Sequence, residues 1–160
     1  MAINPNAQIK TIEKFQQPEA FFYGIYFSAE RQSASSPLGH AFVIFHKGKE
    51  VVTFESKECF GLYPNNDSKW SLLFGQQGTI STFEEKTDLA LHVFVSSSIF
   101  NAALSRANAF KANAPQYALI NMDTCVSLLK TIAVDVALIA PIIILNPYPE
   151  DWVKALMDSN

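Results

Sequence analysis

The chain has 160 residues, 49% of them hydrophobic and 17% charged, with thirteen phenylalanines. That length suits one domain, since a chain near 150 residues buries roughly 70% of its surface, and the composition argues against disorder except at the ends. A formal charge of −3 and a pI near 5.6 provide no general attraction for phosphate backbones or anionic lipid, so no nucleic-acid partner is expected.

The opening stretch, Met1 to Gln17, has no apolar core behind a basic leader, so cytoplasmic synthesis without a signal peptide is expected, with export by a dedicated machine left open. The longest apolar run, Ile132 to Leu145, carries Asp135 and is broken by Pro141, and falls short of the ~20 residues of a membrane-spanning helix. No transmembrane anchor is expected. Cys59 and Cys125 are read as reduced thiols, because one bridge is not a disulfide scaffold in a chain with this much core material.

Residues 1–20 read as an N-terminal segment and 21–160 as a single domain. Phe21 to Phe27 is aromatic and β-branched, predicting a strand that ends at the polar loop Ser28 to Pro37. His40 to His46 and Glu50 to Glu55 flank Lys47-Gly48-Lys49 and predict a hairpin. Cys59 to Lys69, rich in Gly, Pro and Asn, reads as loop; Thr79 to Phe83 and Leu89 to Val95 read as two more strands.

Ser96 to Ser98 supply capping hydroxyls for a helix carrying Ile99, Phe100, Ala103, Leu104, Ala107 and Phe110, stopped at Asn113-Ala114-Pro115. Asp123 or Thr124 caps a second helix, about Cys125 to Val136, and Pro149-Glu150-Asp151 opens a short last one. The fold class expected is α+β, an antiparallel sheet of about five strands packed against two to three helices.

Cys125 falls in the first turn of its helix, where free amides and the dipole favour the thiolate; the alternative is inert packing, the usual fate of a Cys in an apolar helix. His40 opens a strand after Leu38-Gly39, with Phe42 and Ile44 expected to enter the core on its side. A two-residue turn at Lys47-Gly48 places Glu55 opposite His40, where a carboxylate would orient the imidazole; one residue more in the loop substitutes Ser56. His46 and His92 have no partner at metal-ligand spacing, so no metal site is read, and no cofactor. Cys59, in Glu58-Cys59-Phe60-Gly61-Leu62-Tyr63-Pro64, is the reserve nucleophile.

Gly39-His40-Ala41-Phe42-Val43, Phe60-Gly61-Leu62-Tyr63-Pro64 and Tyr117 to Cys125, in that order, resemble circularly permuted papain-like proteins. That group is similar to the NlpC-type cell-wall peptidases and the lecithin retinol acyltransferase-like enzymes. The resemblance covers roughly Phe22 to Leu156. It implies a permuted papain-like fold and a cysteine amidase or peptidase acting through an acyl-enzyme, with Cys125 as nucleophile, His40 as base and Glu55 as orienter. Tyr117, Asn121, Asp123 and Thr124 would border the site. Many relatives have Asn directly before the Cys, where this chain has Thr124, leaving helix-start amides as oxyanion donors. The implied partners are a peptide or acyl substrate, peptidoglycan among them, and an immunity or carrier protein for a bacterial effector delivered by a secretion system. The rival expectations are a lipid-directed thiol acyltransferase or esterase, and a non-catalytic binding module on the same fold.

Overall fold

A computed structural model describes residues 2–14, 20–33, 39–49, 55–65, 75–82, 86–118, 124–143 and 148–160. Among these, the strands are β1 (Ala2–Glu13), β2 (Phe22–Glu30), β3 (His40–Gly48), β4 (Ser56–Pro64), β5 (Gln76–Ser81), β6 (Lys86–Val95) and β7 (Gln116–Tyr117). They form one seven-stranded sheet in the order β1-β6-β2-β3-β4-β5-β7. The helices are α1 (Ser97–Ala112), α2 (Cys125–Asp135) and α3 (Pro149–Ser159).

The α+β class expected from the sequence is present, but the sheet is larger than the five antiparallel strands anticipated, and it is mixed. β1 runs parallel to β6, with Ile9 beside Ala90 and Ile12 beside Val93. Ala2–Glu13, within the N-terminal segment, thus supplies an edge strand. Asn4 Nδ2 donates to Asp88 Oδ1 over 2.5 Å, and the Lys14 amide donates to the Phe94 carbonyl over 3.0 Å. The strand escapes a composition reading because an edge needs only one neighbour; Gln8, Lys10 and Glu13 give it a polar character, and the register shifts across Pro5.

β3 forms an antiparallel hairpin, but its partner is β4. Residues 50–54 of the expected partner strand lie outside the described residues. The register runs from Lys47 opposite Ser56 to Phe42 opposite Gly61. The passage expected as loop from Cys59 is therefore strand as far as Pro64. Gly61 weakens a strand reading by composition, yet it is required here: a Cβ at this position would lie 2.8 Å from His40 Nε2 and 2.9 Å from the Tyr63 ring.

Side-chain alternation sorts the sheet into two buried faces. Ala41, Val43 and Phe45 of β3 share one core with the three helices, including Phe100 of α1, Leu129 of α2 and Trp152 of α3. Phe42 and Ile44 join Tyr26, Cys59 and Ala90 in a second cluster on the opposite face. With both faces buried, the central strands are near-continuous apolar runs.

The helices start where expected. Ser96 Oγ accepts from the Ile99 amide at α1, and α3 begins with Pro149 followed by Glu150 and Asp151. Trp152, fully buried, donates through Nε1 to the Pro141 carbonyl over 3.1 Å and fastens α3 to the preceding segment. No helix among the described residues is long and apolar enough to cross a membrane.

Candidate functional site

Cys125 is the first residue of α2. Thr124 caps that helix: its hydroxyl accepts from the Val126 amide over 3.4 Å, and Ser127 Oγ accepts from the Thr124 amide over 3.2 Å. This capping box holds the first turn rigid and fixes the direction of the cysteine side chain. The thiol is 3% exposed, and burial pushes its pKa up to about 11. The backbone amides of Ala41, Val126 and Cys125 itself pull the other way, toward the thiolate. Burial wins, so the resting thiol is held protonated at neutral pH. Tyr117, also buried, neighbours the sulfur; burial first and then the nearby Cys125 raise its phenol well above its usual range.

His40 is the first residue of β3 and follows Gly39, which holds φ at +68°. Its imidazole stacks on Tyr63 with ring centroids 4.0 Å apart and lies over Gly61. The ring is 8% exposed, its Nε2 has no hydrogen-bond partner among the described residues, and burial lowers its pKa to about 4. It is a neutral base at pH 7, with a nitrogen free to accept or donate.

The structure does not bring these two groups together. His40 shares its face with Phe42 and Gly61, whereas Cys125 belongs to the helix-side core with Ala41, so the backbone of β3 separates imidazole from thiol. The expected orienter is displaced as well. Extending the β3–β4 register by two residues sets Tyr63, not Glu55, beside His40. Glu55 lies just before β4; its amide donates to the Lys47 carbonyl and its carboxylate faces Lys49 at 3.7 Å. Ser56 pairs with Lys47 and is equally remote. The cause is the longer connection from Gly48 to Ser56, which shifts the ladder. Asn121 and Asp123 lie outside the described residues. Cys59, the reserve nucleophile, is 4% exposed and occupies the same face as His40.

Sequence spacing gave no hint of the second polar feature on that face. His46 of β3 and His92 of β6 flank β2, and their Nε2 atoms meet 2.8 Å apart, buried. One ring donates and the other accepts, so the two carry opposite tautomers. They meet over Gly24 of β2, where a Cβ would collide with both Nε2 atoms. Tyr26 stacks flat on His92, with centroids 3.9 Å apart and planes 6° from parallel. The signal was a glycine inside an otherwise aromatic strand, which marks a close approach by some other group. All three histidines of the chain lie on this face.

Among the described residues, no cluster of three or more His, Cys, Asp or Glu is positioned to hold a metal ion. Comparison with protein-family models, with curated proteins and with solved structures gave no match.

Proposed function

We propose that the chain is a cysteine hydrolase of the amidase or peptidase class, with Cys125 as its nucleophile. The observation that carries this reading is the place of Cys125 as the first residue of α2, behind the Thr124 capping box, where the free amides and dipole of a helix start favour a thiolate. In the proposed cycle His40 takes the thiol proton, the thiolate attacks a substrate carbonyl, and the helix-start amides hold the oxyanion. The amine leaves with the proton from His40, and water cleaves the acyl-enzyme to restore the thiol. In this cycle the imidazole of His40 has to reach the sulfur from the opposite face of β3. The permuted papain-like architecture, a peptidoglycan substrate, and delivery as an effector with an immunity or carrier protein complete this reading by resemblance.

The second reading is a non-catalytic binding module, favoured by the sheet lying between His40 and Cys125 and by a thiol pKa near 11. A lipid-directed enzyme would need an apolar groove beside the thiol.

The deciding experiment compares wild type with Cys125→Ala for release of amines from isolated peptidoglycan and of fatty acids from acyl-lipids. Amine release lost by at least ~100-fold in the variant supports the amidase. Fatty-acid release alone supports the lipid enzyme, and equal or absent activity in both proteins supports the binding module.

A further inference from the structure

We propose that the His46–His92 contact is an acid-sensitive latch, joining β3 to β6 across β2 at neutral pH and releasing the sheet when the medium is acidified. β2 already ladders to both neighbours, but no ladder joins β3 directly to β6. The imidazole pair supplies that tie, and Gly24 leaves the space for it.

The contact depends on charge. One shared N–H between two ring nitrogens requires at least one neutral ring. With both protonated, two N–H groups would face each other and two positive charges would stand 2.8 Å apart in a buried site. The surroundings work in the same direction. Lys57 of β4 lies opposite His46 and adds a third cation, while Tyr26 of β2 covers His92 and Phe94 of β6 contacts its ring at 4.4 Å. On the same face, Cys59 of β4 lies two residues from Lys57, exposed Glu13 of β1 lies beside Phe94, and His40, Glu30 and Asp88 occupy the opposite end. The ring pKa values agree with this geometry: burial and then Lys57 lower His46 to about 4, and burial and then His46 lower His92 to about 3.

Released rings take up protons near pH 6.5, whereas latched rings do not until far lower pH. The latched state is therefore fully favoured above pH 6.5 and loses ground as pH falls from 6.5 toward 4. At pH 5 the opening equilibrium rises about 30-fold for each ring, and up to about 10³-fold for the pair.

The test is native-state hydrogen exchange at pH 7.5 and 5.0, read as protection factors, on wild type and on His92→Gln, which keeps an amide near Nε2 but cannot be charged. In wild type, protection at Ile25, Ile44 and Leu91 should fall by two to three orders of magnitude, and by more than at Ala103 and Ala107 of α1. In the variant the fall should be about 30-fold smaller. An equal fall in both proteins, or strands that lose no more protection than α1, overturns the proposal. If His92→Gln does not fold, a ¹⁵N imidazole titration of wild type decides. Charging of His46 and His92 should coincide with strand opening, and charging while the strands stay protected overturns the latch.

Discussion

Replacing Gly24 with alanine adds one carbon to the centre of the sheet, 2.6 Å from His92 Nε2 and closer still to His46 Nε2. Ordinary contacts at such a carbon begin near 3.4 Å, and Gly24 is laddered to His46 on one side and Phe94 on the other. The strand cannot retreat, so both rings must. Overpacking of this kind costs about 1–3 kcal/mol. Separating the rings leaves a buried donor and a buried acceptor without each other, a further ~1–3 kcal/mol. Alanine recovers about 0.5–1 kcal/mol of the chain entropy that glycine forfeits. The net expectation is a loss of about 1–5.5 kcal/mol, a large share of the ~5–15 kcal/mol typical of a domain. Urea unfolding at pH 7.5, followed by far-ultraviolet circular dichroism, measures it. His46→Ala removes the nearest colliding ring, so Gly24→Ala should cost less than half as much in that background. A cost under about 1 kcal/mol in the wild-type background, or an unchanged cost without His46, would refute the steric account.

Gly61→Ala should displace His40 or Tyr63, with a cost of about 1–3 kcal/mol in chemical denaturation and a shifted His40 imidazole resonance in ¹⁵N spectra. Thr124→Ala removes one half of the capping box and should cost about 1 kcal/mol; native-state alkylation of Cys125 should speed up as the first turn frays. In the native wild type, iodoacetamide at pH 8 should label both cysteines at least ~100-fold more slowly than in urea, because they are 3% and 4% exposed and Cys125 is held protonated. Asp88→Asn should loosen β1, seen as faster exchange of the Ile9 and Ile12 amides. Although burial works to raise the Asp88 carboxyl, hydrogen bonds from Asn4 and the Arg31 amide, with Lys86 nearby, leave it below its usual range. Its contribution is therefore present above the unfolded pKa and fades as pH falls through the folded one, and the variant should lack that acid sensitivity.

The helices were legible because their signals are local. Ser96, Thr124 and Pro149 start α1, α2 and α3 through contacts within one turn, and the spacing of Phe100, Ala103 and Ala107 needs no knowledge of the partner surface. The strands were legible as strands, but their limits and partners were not. Composition makes a passage holding Gly61 and Pro64 resemble a loop, because the reason for Gly61 is the His40 ring, which arrives from another strand. β1 went unseen because an edge strand with one neighbour needs no alternating apolar pattern.

The residue types at the candidate site were visible in the chain: a cysteine at a capped helix start, a histidine at a strand start, and their order. Their relation was not. Which face His40 takes depends on strand parity relative to Ala41, and a one-residue difference moves a side chain from one core to the other. The same alternation gathered His40, His46 and His92 on the face away from the helices and set two imidazoles against each other over Gly24. Local sequence thus determined the helix starts, the abundance of core-forming side chains and the α+β class, because caps, periodicity and composition act over a few residues. Only tertiary structure decided which groups meet, because register, sheet order and face are set by packing between segments far apart in the chain.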